Sequence, residues 1–153
     1  MKALFTGTFN PPTKGHLNII ERAGRFCSLT VGIASNQRKS PPELTPKKSK
    51  ELLQTLIKNE VVLIEGLVVH FAKEHHFDLL IRGVRNPNEF IKEQEMAQMN
   101  REIFNIETLL LPADPSYAYI HSSLVREIAK LGNSIAPFVP ASIEKQLLEA
   151  FKS

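Results

Sequence analysis

The chain has 153 residues, 42% hydrophobic and 23% charged, an ordinary globular composition at a common domain size that can bury roughly 70% of its unfolded surface. A single cysteine, Cys27, excludes an internal disulfide and a cysteine-rich metal site, and no apolar run approaches the ~18 residues that cross a bilayer. The net charge of +3 is spread rather than clustered, which weighs against nucleic acid as a partner and suits a small phosphate-rich ligand at least as well.

Along the chain, Leu4-Phe5-Thr6 completes a first strand that Gly7 stops, too soon for a signal peptide. The loop 7–14 is punctuated by Gly7 and Pro11-Pro12. Leu17, Ile20, Ala23 and Gly24 then recur at helical spacing over 15–26. A β-branched strand follows at 29–34, then a polar, proline-containing loop at 35–44. Thr45-Pro46 reads as an N-cap and first helical residue, opening a helix whose apolar face is Leu52, Leu53, Leu56 and Ile57. Strand 61–64, a short helix at 67–74 and strand 79–81 come next, the last ending at Arg82-Gly83. Asn86-Pro87-Asn88-Glu89 opens a capped helix that runs to about residue 101 or 103. Strand 108–111 is closed by Pro112, and a helix from near Ser122 reaches Leu131, where Gly132 is a natural stop. Residues 140–152 form a terminal helix with Ile143, Leu147, Leu148 and Phe151 on one side.

Five alternations of strand and helix, without repeat or linker, predict an α/β fold. The expected architecture is a Rossmann-like, doubly wound, five-stranded parallel sheet in a single domain over 1–153, soluble and cytoplasmic. In such a sheet all strand-to-helix loops lie at one edge, where ligands bind. Those loops are 7–14, 35–44, 65–66, 82–86 and 112–121, and they hold most of the unusual polar residues. His75-His76 lies at the opposite edge without further ligand partners and is assigned no role.

The first loop leaves its strand through Gly7, which lets a ligand approach the backbone, and enters a helix whose free N–H groups attract an anion. His16 falls in that helix's first turn, where the positive dipole end disfavours its protonated form. Taken alone it is more often a surface or capping residue. Arg82 and Arg85 bracket a glycine at a strand end. That arrangement suits phosphate, or ion pairs with Glu89 or Glu93. Ser122 and Ser123 suit a helix cap, and a capping serine can also meet an anion. Lys39 sits in a polar loop, where a solvated lysine is the ordinary outcome.

Gly7-Thr8-Phe9-Asn10-Pro11-Pro12-Thr13-Lys14-Gly15-His16 resembles the first signature of the nucleotidyltransferase superfamily. Ile120-His121-Ser122-Ser123-Leu124-Val125-Arg126 resembles its serine-rich second signature. Between them, Ile81-Arg82-Gly83-Val84-Arg85, Glu89-Phe90-Ile91-Lys92-Glu93-Gln94 and Met99-Asn100-Arg101 narrow the resemblance to the phosphopantetheine adenylyltransferase family of coenzyme A biosynthesis. It extends, in order, over nearly the whole chain.

The resemblance implies that ATP is joined to 4′-phosphopantetheine, giving dephospho-coenzyme A and pyrophosphate, with Mg²⁺ assisting. The acceptor phosphate attacks the α-phosphorus directly, so positioning and charge stabilisation replace a nucleophilic side chain. By the same resemblance His16 is the catalytic residue, stabilising the α-phosphoryl transition state, and Thr8 orients the attacking phosphate. Lys39 and Arg82 hold the pantetheine phosphate, Lys39 also touching the α-phosphate, and Val68 meets the pantetheine arm. Thr8, Phe9, His16, Gly83, Val84, Arg85 and Glu93 line the ATP site. Tyr117, Ala118, Tyr119, Ile120, His121, Ser122 and Ser123 close over the triphosphate. Family members are typically homohexamers with coenzyme A as a feedback ligand; neither nucleic acid, a membrane nor a protein-held metal is expected.

Some positions depart from the family. Asn10 stands where aspartate is common, Lys92 where tyrosine is common, and His121 and Ala118 where small polar residues are found. The loop 35–44 is one residue out of step when counted back from Thr45, so Arg38 competes with Lys39 for the family's lysine; counting forward from Asn36 favours Lys39. Nicotinate mononucleotide adenylyltransferases, a sister family, usually carry histidine where Thr13 stands. A non-catalytic nucleotide-binding module would lack His16 or both arginines, and this chain keeps all three.

Overall fold

A computed structural model describes residues 1–35 and 43–152. Five strands, β1 (Lys2–Gly7), β2 (Ser28–Ala34), β3 (Val61–Ile64), β4 (Leu79–Val84) and β5 (Glu107–Pro112), alternate with helices. The helices are α1 (Lys14–Ala23), α2 (Pro46–Leu56), α3 (Val68–Glu74), α4 (Pro87–Phe104), α5 (Ser122–Lys130) and α6 (Ala141–Phe151). The strands pair in the order β3-β2-β1-β4-β5, every pair parallel. The expected Rossmann-like sheet is therefore present. Strand order reverses between β1 and β4, and connections leave that point toward opposite faces, opening a crevice at the carboxyl ends of the two strands.

Side-chain alternation along β1 builds both faces. Ala3 and Phe5 pack with Ile19, Ile20 and Ala23 of α1 and Leu53 of α2. Leu4 points the other way, into a core with Val69 and Ala72 of α3 and with Ile106. Coverage on both sides is why the central strands read as continuous apolar runs. A third cluster joins Leu44 and Leu52 to Val125, Ala129, Ile135, Ile143, Leu147 and Phe151, seating α5 and α6 beside α2.

The predicted helix starts form as their cap chemistry requires. Thr45 Oγ1 accepts the Lys48 N–H at 3.2 Å with Pro46 next in line, and Asn86 Oδ1 accepts the Glu89 N–H at 2.9 Å ahead of Pro87. Gly132, at φ +80°, turns the chain after α5. Two elements differ from expectation. Helix α1 stops at Ala23, because the Arg25 and Phe26 N–H groups bond back only three residues, to Arg22 and Ala23, and Phe26 is exposed. Strand β4 runs on through Arg82, Gly83 and Val84, which pair with Leu110, Leu111 and Pro112. Helix α4 buries no residue and exposes Phe90, Ile91, Met96, Met99 and Ile103. No helix among the described residues is long and apolar enough to cross a membrane.

Candidate active site

A cavity of about 620 Å³ opens at the carboxyl ends of β1 and β4, the edge the loops predict. Its walls come from the end of β1, the start of α1, the end of β4, one face of α4, and the segment from Ala113 into α5.

His16 occupies the third position of α1. Thr13, the N-cap, accepts the His16 N–H on Oγ1 at 3.4 Å, and His16 Nδ1 accepts the Thr13 N–H at 3.0 Å. This is a capping box with histidine in the place usually taken by glutamate or glutamine. Because Nδ1 accepts, the neutral ring carries its proton on Nε2, which has no hydrogen-bond partner among the described residues. Burial, then the charges of Arg85 and Arg82, push the His16 pKa down from 6.5 to about 4. At neutral pH the ring is therefore an uncharged donor in the cavity wall. The helix dipole acts in the same direction, but burial and two guanidinium groups are the leading causes.

The arginines realise both readings that spacing leaves open. Arg82 lines the cavity while its Nε and Nη2 donate to Glu93 at 3.0 and 2.8 Å and its Nη1 donates to the Thr6 carbonyl at 2.7 Å. Arg85 Nε donates to Glu89 at 2.9 Å, and its Nη1 donates to the Ile120 carbonyl at 2.7 Å, tying the end of β4 to the second signature. Partial burial pushes the Glu89 carboxyl up, but hydrogen bonds from Arg85 outweigh it and hold the group below the usual carboxylate value. Both cations thus stand at the cavity with their charge already compensated. Among the described residues, no group of three or more His, Cys, Asp or Glu converges as a metal site would require.

Of the residues expected in the site, Thr8, His16, Val68, Arg82, Gly83, Arg85, Glu93, Tyr117, Ile120, His121, Ser122 and Ser123 line the cavity. Phe9 lies beside His16, its ring centroid 4.8 Å from the imidazole. Gly7 leaves room for that ring, since a Cβ there would sit 3.3 Å from it. Val84 is buried at the end of β4. Ala118 and Tyr119 fall outside the wall, Tyr119 standing edge-on to Phe138. Lys39 and Arg38 lie outside the described residues. The wall also includes Thr13, Glu89, Lys92 and Arg126, which sequence reasoning gave no site role. All four sit within a quoted motif, so the signal was there.

A family model described as cytidylyltransferase-like matches residues 4–128. The phosphopantetheine adenylyltransferase of Prochlorococcus marinus (strain MIT 9312) is 40% identical over 157 residues, covering 99% of this chain and 100% of its own. That of Coxiella burnetii (strain Dugway 5J108-111) is 38% identical over 95% of this chain and 94% of its own. Among solved structures, a Vibrio parahaemolyticus protein assigned as a nicotinate-nucleotide adenylyltransferase is similar with a TM-score of 0.64 at 18% identity, covering 96% of this chain and 97% of that one. A lipopolysaccharide core biosynthesis protein of Thermoplasma volcanium reaches 0.57 at 16% identity over 74% of this chain and 96% of its own. At such identities these two structures bear on the fold alone, whereas the sequence relatives match over nearly the whole of both chains. The chain belongs to the cytidylyltransferase-like family and, within it, to the phosphopantetheine adenylyltransferases.

Proposed function

We propose that this protein transfers the adenylyl group of ATP to 4′-phosphopantetheine, releasing pyrophosphate and forming 3′-dephospho-coenzyme A. The observation that carries the reading is His16, held neutral with Nε2 as its donor in a cavity flanked by two arginines. An oxygen of the acceptor phosphate attacks the α-phosphorus as the bond to the β-phosphate oxygen breaks, with no covalent enzyme intermediate. A neutral Nε2–H supplies a hydrogen bond that strengthens as charge builds on the α-phosphoryl oxygens.

Thr8 orients the attacking phosphate, and Arg82, with Lys39, holds it. Val68 meets the pantetheine arm. Phe9, Gly83, Val84, Arg85 and Glu93 serve ATP, with residues 117–123 over the triphosphate. Incoming phosphates compete with Glu93 and Glu89 for the two guanidinium forks. Bound with ATP, Mg²⁺ would supply neutralisation of phosphate charge. Among the described residues no group of three or more His, Cys, Asp or Glu converges to hold it, so phosphate oxygens and water would be its fitting ligands. The whole chain acts as one cytoplasmic adenylyltransferase domain. It assembles as a homohexamer, a reading supported by the exposed apolar residues of α4, and coenzyme A is its feedback ligand.

The test is pyrophosphate release from ATP and Mg²⁺ against a panel of phosphorylated acceptors. 4′-Phosphopantetheine should turn over to dephospho-coenzyme A. Turnover with nicotinate mononucleotide, and none with phosphopantetheine, would overturn the reading.

A further inference from the structure

Three consecutive carbonyls of the first loop are each held by a side chain from another element. Ser49 Oγ donates to the Phe9 carbonyl at 2.9 Å, Arg126 Nη1 to that of Asn10, and Ser122 Oγ to that of Pro11 at 3.1 Å. Arg126 and Ser122 line the cavity and belong to the site already described. Ser49 does not line it. It sits on α2 with no exposed surface at all. A serine inside a helix ordinarily bonds back to a carbonyl of its own helix; this one reaches a carbonyl 40 positions away.

The group it holds is unusual. Phe9 has φ +47°, a left-handed backbone uncommon for a bulky residue. That conformation fixes the direction of both its carbonyl and its ring. The ring is buried and stands edge-on to Phe5 at 5.8 Å and to His16 at 4.8 Å. A chain of contacts therefore runs from the Ser49 hydroxyl, through the Phe9 backbone and ring, to the imidazole. A buried carbonyl without a partner carries a substantial penalty, so loss of the hydroxyl favours rotation of the Phe9 peptide and release of the ring.

We propose that Ser49 is a positioning residue for adenylyl transfer, holding Phe9 so that its ring fixes His16 in the cavity wall. The proposal rests on the role given to His16 above. Its direct readout, the state of the His16 ring without substrate, is independent of that role.

The experiment compares Ser49→Ala and Ser49→Cys with Leu56→Ala. The thiol is near-isosteric and a weak donor. Leu56 lies on the same helix but packs into the α5–α6 cluster, so it reports loss of helix packing alone. Each variant is measured for kcat and KM in pyrophosphate release, for its thermal midpoint, and for the NMR resonances of the His16 ring in the substrate-free protein. Ser49→Ala should lower kcat about 10-fold or more with both KM values within about 3-fold, as expected for misplacement of a reacting group. Its His16 resonances should move as the ring current of Phe9 changes, with Ser49→Cys intermediate. Leu56→Ala should lower the midpoint yet keep kcat per folded molecule and the His16 resonances.

Wild-type kcat and unmoved resonances in Ser49→Ala would overturn the proposal, as would losses in all three variants that track only the folded fraction. If Ser49→Ala does not fold, a smaller drop in kcat and a shift of the His16 resonances in the same direction must appear in Ser49→Cys, and their absence there overturns it. If the wild-type protein does not turn over phosphopantetheine, the adenylyl-transfer reading fails, while the substrate-free spectra still decide whether Ser49 holds the ring.

Discussion

Replacing His16 by glutamine separates the titration of the ring from its structural duty. Glutamine at the third helical position completes a capping box with Thr13 as histidine does, so the start of α1 is kept while the ionisable group is lost. In the wild-type protein, burial, then Arg85 and Arg82, lower the ring's pKa from 6.5 to about 4. The unfolded chain therefore binds this proton at higher pH than the folded one. The resulting stability is full above pH 6.5 and drains away as pH falls toward about 4. The two values lie about 2.5 apart, and at about 1.4 kcal/mol per pH unit the loss has a ceiling of about 3 kcal/mol. The ring borders an open cavity, and screening there brings the expected loss to about 2–3 kcal/mol. Urea unfolding at about pH 7 should give nearly equal stabilities for the two proteins. By about pH 4 the wild type should have lost about 2–3 kcal/mol more than His16→Gln. Glu43, Glu89 and Asp114 also sit below their ordinary values, but their protonation is common to both proteins and cancels in the difference. Parallel stability curves, or a His16 resonance that titrates near 6.5, would refute the reasoning.

Truncating the same residue tests chemistry: His16→Ala should lower kcat by about 10²–10³ with substrate affinities by calorimetry little changed, and wild-type kcat at saturation would contradict the role. A double-mutant cycle of Arg82→Lys and Glu93→Gln, read by urea unfolding, should give a coupling of about 0.5–1.5 kcal/mol, because lysine cannot keep the two-pronged contact to Glu93 together with the bond to Thr6; a coupling below about 0.3 kcal/mol would mean that the two do not act as a pair. Lys39→Ala should cost about 10–150-fold in kcat/KM while Arg38→Ala stays within a few-fold, and the reverse order moves the role to Arg38. Met96→Asp on α4 should reduce the assembly seen by light scattering to smaller species, and a wild-type protein that is monomeric at micromolar concentration removes the hexamer.

Local chemistry made much of the fold legible. Thr45-Pro46 and Asn86-Pro87 mark helix starts because an N-cap oxygen and a fixed φ act within one turn, whatever the rest of the chain does. The end of β4 was not legible. Arg82 and Gly83 read as punctuation in isolation, yet the backbone groups of β5 beside them extend the ladder to Val84, and that partner lies more than twenty positions away. Helix α4 begins at the cap that sequence marks and ends within a few residues of the expected stop, although its apolar residues make no buried face.

The site divides along the same line. The two signatures located the cavity edge and most of its wall, because strand-to-helix loops of a parallel sheet must meet there. Spacing alone could not say whether Arg82 and Arg85 face carboxylates or the cavity, and the structure gives each arginine both. Thr13 and His16 carried a readable sign, a capping-box spacing with an imidazole where a carboxylate or amide is usual. Ser49 carried one too. It precedes Leu52 and Leu53 by three and four positions, which puts a hydroxyl on the buried stripe of α2. A polar group there is costly unless it finds a partner. Sequence states that demand without naming the partner, and only the packing of α2 against the first loop supplies the Phe9 carbonyl that meets it.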